Sequence, residues 1–175
     1  MLGAGGGVAT DYESIATVTA PAGGSVSIDF TSISSAYTHL QLRGINRNET
    51  ANNTFRLRFN SDSGSNYSRH YLFGDGSTAQ AAAGASQTSI GAGIISTSSN
   101  GASIFSGFVI DILDYANTSK YKTMRSLGGY DANGSGNIGL FSGVWMNTAA
   151  ITSITLLSDS GDQNQYSSFA LYGIK

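Results

Sequence analysis

Thr54-Phe55-Arg56-Leu57-Arg58-Phe59 is the stretch that decides the fold, because its side chains alternate strictly between apolar and polar after the first residue. Successive side chains of a β-strand point to opposite faces of a sheet, so the three apolar residues are predicted to face a core and the two arginines solvent. A similar period of two recurs at Ser25–Phe30 and Tyr37–Arg43. The sequence therefore predicts antiparallel sheets with one buried and one solvated face.

Further short runs with strand character follow, separated by turn signals. They are Ile15–Ala20, Tyr67–Phe73, Gly91–Ile95, Ile104–Leu113, Tyr121–Leu127, Ile138–Trp145, Ile151–Leu157 and Phe169–Ile174. No stretch sustains a helical period over three turns, and 23 glycines against one proline favour tight turns. About ten strands spaced in this way predict an all-β fold, an antiparallel β-sandwich like a jelly roll, as a single domain over residues 12–175.

Three connecting segments carry specific expectations. Pro21–Gly24 has the composition of a turn, which predicts that Ile15–Ala20 and Ser25–Phe30 form a hairpin. Asp75–Thr88 is rich in Gly, Ala, Ser and Gln without a period, which predicts a long surface loop. Residues 1–11 are Gly-rich and predict a flexible N-terminal arm.

Charge and composition argue against several classes of partner. The net charge is −2 and the Lys and Arg residues are dispersed, so the basic footprint that nucleic-acid binding requires is missing. There is no Cys, which excludes thiolate catalysis, disulfides and thiolate metal sites. No apolar run approaches the roughly 18 residues that span a bilayer. Met1–Gly7 lacks the basic and apolar regions of a secretory signal. We expect neither a nucleic-acid nor a membrane partner.

The sequence predicts no catalytic residue, no metal and no cofactor. His39 lies on the polar face of a predicted strand beside Gln41 and Arg43, which favours a solvated histidine over a member of a Ser-His-Asp triad. No Gly-x-Ser-x-Gly elbow leads a strand into a helix. The turns Asn60–Gly64 and Asp131–Gly134 superficially resemble calcium loops, but both lack the acidic twelfth residue of an EF-hand loop. Asx turns explain them without a metal.

One segment has the composition of a binding surface. Tyr67, Arg69, Tyr71 and Asp75 are close in sequence, and aromatic and cationic side chains supply contact area at a low cost in entropy. Alternation places Arg69 and Tyr71 on one face and His70 on the other, which favours core aromatics with a charge at the strand end as the alternative interpretation. These four residues are the predicted ligand-binding residues, with a cell-surface glycan as the ligand class.

Four stretches also carry a resemblance to known proteins: Tyr12–Ala16, Tyr37–Arg43, Arg58–Tyr67 and Ser168–Lys175. They resemble a group of small tailed-bacteriophage proteins, frequent in aquatic phages, that end in a similar Leu-Tyr-Gly-Ile segment. The resemblance covers most of the chain beyond the Gly-rich arm, and it consists of strand patterns, so no functional residue is carried across. It implies a virion structural component, a capsid decoration or a fibre-type subunit, assembled in the host cytoplasm.

Three functional hypotheses follow. The first is a non-enzymatic virion protein that assembles with other virion proteins and with itself, as a homotrimer by analogy with other phage β-sandwiches. The second is a carbohydrate-binding receptor-recognition module of a tail structure, which requires an exposed aromatic platform or a polar cleft. The third, an enzyme acting on cell-surface polymer, is disfavoured by the missing nucleophile and metal motifs. The exposure of Tyr71, Tyr115, Tyr130, Trp145 and Tyr166 distinguishes these hypotheses.

Overall fold

The computed structural model describes residues 11–51 and 54–175, which form twelve strands and one short 3-10 helix. The strands are β1 (Tyr12–Thr19), β2 (Ser27–Phe30), β3 (His39–Asn46), β4 (Thr54–Phe59), β5 (Tyr67–Gly74), β6 (Ala79–Gln87), β7 (Ile90–Ile94), β8 (Ser106–Leu113), β9 (Lys122–Asp131), β10 (Gly136–Trp145), β11 (Ile154–Ser158) and β12 (Ser168–Ile174). The helix is Ser98–Asn100. The predicted all-β antiparallel sandwich is confirmed. The predicted arm lies outside the described residues except for Asp11.

The strands form two sheets with the connectivity of a jelly roll. The large sheet has the order β1-β12-β3-β8-β9-β10-β5-β6, and the small sheet has the order β2-β11-β4-β7. In a jelly roll the first strand pairs with the last and the second with the penultimate, in opposite sheets. The pairs β1–β12 and β2–β11 meet this condition. Four strands, β9, β10, β5 and β6, extend one side of the large sheet beyond β8, and we call them the wing.

The predicted hairpin between the first two strands is wrong. β1 pairs with β12 in the large sheet, whereas β2 pairs with β11 in the small sheet. Pro21–Gly24 does form a turn, in which Gly23 and Gly24 have φ values of +90° and +81°. The segment nevertheless leads the chain from one sheet to the other, because each strand buries its apolar side chains by facing the opposite sheet.

The predicted loop over Asp75–Thr88 is also wrong. Ala79–Gln87 forms β6, which pairs with β5 from Gly74 to Tyr67 with one bulge near its end. Most residues of β6 are exposed, so neither face requires large apolar side chains and the sequence shows no alternation. A strand of this kind leaves no signal of period two.

The core lies between the small sheet and the facing side of the large sheet. The three apolar residues of β4, predicted to face inward, are fully buried. At one end of the core the Trp145 ring packs 5.8 Å from the Phe59 ring and 6.4 Å from the Tyr67 ring, measured between centroids. Within the described ranges no helix is long and apolar enough to cross a membrane.

Gly173, in the Leu-Tyr-Gly-Ile segment, lies directly beneath the ring of Tyr37, and a side chain at this position would overlap that ring. We expect Gly173→Ala to lower the free energy of unfolding by about 2 kcal/mol, because the ring has to move. Urea denaturation measures this loss. The control is Gly107→Ala on β8, where an added Cβ meets no atom within 4 Å. An equal loss in both variants would contradict the packing argument.

Candidate assembly surface

The structure does not bring the four predicted ligand-binding residues to one site. Tyr67, at the start of β5, is fully buried. Its hydroxyl accepts the N–H of Phe59 at 3.1 Å and donates to the carbonyl of Asp62 at 3.0 Å. Burial raises the pKa of Tyr67 to about 12. Asp75 follows the opposite end of β5, about 26 Å away at ~3.3 Å per residue. Tyr67 therefore belongs to the core and offers no surface to a ligand.

Arg69 and Tyr71 do lie together, on the face of β5 that is turned toward the small sheet. The guanidinium carbon of Arg69 is 5.8 Å from the centroid of the Tyr71 ring, and this ring stacks on Phe141 of β10 at 5.5 Å. The Arg69 side chain also covers Gly91 of β7, where a side chain would overlap it. Both residues are half-buried, and the contact of Arg69 with Gly91 joins the wing to the small sheet. Their role toward a ligand stays a prediction.

The aspartates of the polar turns bond their own backbone. Asp75 Oδ1 accepts two following N–H groups at 2.9 and 2.7 Å, and these hydrogen bonds lower the pKa of its carboxyl. Asp62 and Asp131 accept the N–H groups of Gly64 and Asn133 in the same way, at 2.8 and 2.7 Å. Such Asx turns need no metal. In the described part of the chain no group of three or more ligating side chains could hold a metal ion.

The two histidines lie apart on the large sheet. Nδ1 of His39 accepts the backbone N–H of Asp114 at 2.9 Å, and the Asp114 carboxylate lies 3.4 Å from the same nitrogen. His70 is exposed on β5, opposite Ser142 of β10. Four strand spacings separate β3 from β5, a distance of about 19 Å. The histidines therefore form no shared site.

The outer face of the large sheet, turned away from the small sheet, has a group of interacting polar side chains on β1, β3, β8 and β9. Gln41 donates to Asp111 at 2.7 Å, and Arg125 donates to the same carboxylate at 3.1 Å. The Arg43 guanidinium lies over the Tyr12 ring, 5.2 Å from its centroid. These polar groups satisfy one another across neighbouring strands.

The same face also has a cluster of exposed apolar side chains on the wing strands β9, β10 and β5. Leu140 on β10 lies directly opposite Leu127 on β9 and Leu72 on β5, and Ile138 follows two residues earlier on β10. Their exposed fractions are 53% for Leu140, 47% for Leu127, 53% for Leu72 and 64% for Ile138. We call these four residues the outer patch. Adjacent large apolar side chains that remain exposed in a monomer mark an interaction surface, unlike single scattered ones.

A trough of about 780 Å³ adjoins the outer patch. Gly107 of β8 and Gly129 of β9 lie opposite each other in its floor, beside Leu127 and Ile138. Its walls are the turn after β5 and the hairpin between β9 and β10. Because two adjacent positions in the floor have no side chain, the surface is recessed there and can accept a protruding side chain of a partner.

Tyr166 is the displayed residue among the five diagnostic aromatics. Tyr115 and Trp145 are buried, Tyr71 and Tyr130 are half-buried, and Tyr166 is 68% exposed. Tyr166 also has a φ of +73°, which is uncommon for a bulky residue and concentrates at functional positions.

A small polar cleft of about 270 Å³ lies beside Tyr166, lined also by Glu49, Phe105, Asn164 and Gln165. With its amide turned so that the nitrogen faces Glu49, Asn164 donates to Glu49 at 3.1 Å and accepts from Arg47. An aromatic ring beside a carboxylate and amides can contact the face of a sugar and bond its hydroxyls.

Comparison with known proteins gives no match: no protein family, no curated protein and no solved structure is similar to this chain at a significant level.

Sequence reasoning missed the outer patch. From Ile138 to Phe141 of β10 the residues on both faces are apolar or glycine, with Ile138 and Leu140 outward and Gly139 and Phe141 inward. The run Ile138–Trp145 therefore predicted a strand but not which of its faces is exposed. The one available signal was that β10 has large apolar side chains on two faces, whereas a single core needs them on one.

Proposed function

We propose that this chain is a non-enzymatic structural subunit of a bacteriophage particle, a capsid decoration or fibre-type protein that assembles with copies of itself and with other virion proteins. The observation that supports this proposal is the outer patch. It lies on β5, β9 and β10, which are additional to the jelly roll. Added strands that expose leucines on the uncovered face of the large sheet have a direct use as an interface.

The size of the patch indicates how much it contributes to assembly. Fully burying a Leu or Ile side chain stabilises by roughly 1.5–3 kcal/mol, so covering the exposed half of four such residues contributes about 4 kcal/mol. A dissociation constant of about 1 μM corresponds to about 8 kcal/mol. The patch therefore needs further contacts, for which the adjoining trough and the free edge of the wing are the nearest surfaces. A homotrimer remains the proposed oligomer.

We expect the double variant Leu127→Asp, Leu140→Asp to abolish association through the outer patch, both with other copies and with particles, because the two carboxylates would have to be desolvated within that interface. Light scattering at increasing protein concentration measures the molar mass. Val26→Asp is the matched control, since Val26 is a 72% exposed apolar residue outside the large sheet. Monomeric wild-type protein that also fails to bind particles would overturn the proposal.

The second candidate function is glycan recognition by a tail structure, and the cleft beside Tyr166 favours it. The probes are the methyl glycosides of glucose, galactose, rhamnose and N-acetylglucosamine, tested by saturation-transfer NMR. We expect transfer to one of them, lost in Tyr166→Ala and retained in Tyr130→Ala, since Tyr130 does not line this cleft. Equal transfer to both variants would exclude this site.

A further inference from the structure

Among the residues that the structure describes, none pairs with the second backbone edge of β6. β6 is the last strand of the large sheet, and its described partner is β5 on one side only. From Ala79 to Ala85 the strand contains Ala, Gly and one Gln, with neither a charge nor a proline. An edge strand presents a row of N–H and C=O groups that another strand can pair with.

The other three sheet edges of the described structure are each protected. β1 carries Glu13 and has a bulge between Ser14 and Ala16. β2 has four residues, including the exposed Asp29, and β7 has five residues that are all buried. Short length, charge and bulges are the usual means of preventing edge-to-edge pairing. β6 has its bulge only near its C-terminal end, between the partners of Tyr67 and Arg69.

We infer that β6 pairs antiparallel with β6 of a second copy of this chain, joining two large sheets edge to edge. The inference rests on the proposed function, and it specifies the β6 strand of a second copy as the surface through which two chains assemble. A two-fold axis brings the same residues together, so a charged strand would oppose its own charge. β6 has no charge, and its residues are small enough to lie opposite their own copies without overlap.

The position of the outer patch selects the register. Leu72 lies directly opposite Ala81 on β6, in the same row as Leu140 and Leu127. When Ala81 faces Ala81 of the second copy, the rows of the two copies join into one continuous apolar row. In the register with Ala83 facing itself, in which one strand is shifted by four residues, the polar row that contains His70 is joined instead. The first register therefore doubles the apolar area that other virion proteins can cover.

The pairing is expected to be weak in isolation. Five residues from Ala79 to Ala83 span about 17 Å at ~3.3 Å each, which with a sheet thickness of about 10 Å covers roughly 170 Å² on each copy. A stable interface covers about 800 Å² on each partner. The dimer therefore forms reversibly with concentration. The two-fold contact is compatible with a homotrimer, because it can link one trimer to the next.

Disulfide trapping tests the inference cleanly because the chain has no Cys. Directly opposed residues of an antiparallel pair have Cα atoms about 4.5–5.5 Å apart, within the range for a disulfide. With diamide as the oxidant, Ala81→Cys is expected to give a covalent dimer at least about tenfold faster than Thr17→Cys, since only the first thiol is held beside its copy. Thr17 is the matched control, an exposed residue on β1 at the opposite edge of the same sheet.

The outcomes separate this inference from the proposed function. Equal cross-linking rates for Ala81→Cys and Thr17→Cys would overturn the pairing of β6. So would full retention of self-association in Ala81→Lys, measured by sedimentation, while Leu127→Asp, Leu140→Asp loses it. In that case assembly through the outer patch still stands. If wild-type chains neither self-associate nor bind particles, the proposed function fails together with the pairing.

Discussion

Replacing Trp145 by Ala is expected to lower the free energy of unfolding by about 4 kcal/mol, the largest effect of any single substitution considered for this chain. Trp145 is 1% exposed and packs against the rings of Phe59 and Tyr67. Its indole N–H donates to Asp62 Oδ2 at 2.7 Å. The substitution removes both the apolar contacts and this hydrogen bond. Urea denaturation at neutral pH measures the loss.

Tyr121→Ala is the control, because Tyr121 is an aromatic residue that is largely exposed. It directly precedes Lys122, the residue of β9 that lies opposite Trp145. The loss in Tyr121→Ala is expected to stay within about 0.5 kcal/mol. A loss below about 1 kcal/mol for Trp145→Ala would contradict the burial of Trp145 and the closure of the core at this end.

Trp145→Phe separates the hydrogen bond from the packing and has a signature in pH. The indole hydrogen bond, with further ones from Asn66 and Gly64, lowers the pKa of the Asp62 carboxyl. A carboxyl whose pKa is lower in the folded state stabilises the fold above its unfolded pKa of about 4, and this stability is lost as the pH falls through the folded value. We therefore expect Trp145→Phe to lose less stability than wild type between about pH 5 and about pH 3. Equal losses of stability in Trp145→Phe and wild type over this pH range would contradict the role of the indole hydrogen bond in lowering the pKa of Asp62.

Lys122→Met is expected to lower the free energy of unfolding by about 3 kcal/mol, because it leaves backbone carbonyls buried without a donor. Lys122 is fully buried on β9, directly opposite Trp145. Its Nζ donates to the carbonyls of Asn117, Lys120 and Thr148 at 2.5, 2.9 and 2.9 Å. Burial, with a smaller contribution from the charge of Lys120, lowers the pKa of Lys122. Thermal and urea denaturation measure the effect.

Lys120→Met provides the matched comparison. Lys120 is exposed and pairs with the Asp114 carboxylate on the surface. Surface ion pairs contribute about 0–1 kcal/mol, so this variant is expected to remain close to wild type in stability. Equal losses of stability in the two variants would contradict a stabilising role for the three hydrogen bonds that Lys122 donates to backbone carbonyls.

The sequence predicted those parts of the fold in which one face of a strand is buried and the other solvated. Alternation in Thr54–Phe59 identified β4 and its inward face, and Arg69 and Tyr71 do lie on the opposite face from His70. Alternation depends only on local exposure, so it failed for β6, where both faces are exposed. It also could not show that β1 and β2 belong to different sheets, because pairing is decided by contacts far apart in sequence.

The candidate site was harder to predict, for a related reason. Tyr67 and Tyr71 share one face of β5, yet Tyr67 is covered by the core while Tyr71 lies at the margin of the small sheet. The alternation of side chains shows which residues share a face of a strand, but it does not show which part of the protein covers that face. The outer patch is exposed because it lies on the face of the large sheet that is turned away from the small sheet, and the alternation within each strand does not show which face that is.

Oxidative footprinting of the wild-type chain across a range of concentrations tests the central claim most directly. If assembly uses the outer patch, hydroxyl-radical labelling of Leu72, Leu127 and Leu140 falls as the concentration rises, while labelling of Val26 stays constant. The double variant Leu127→Asp, Leu140→Asp would then show no protection of Leu72 at any concentration. Labelling of Leu72 and Leu140 that is unchanged while the wild-type chain associates would contradict the assignment of this face as the assembly surface.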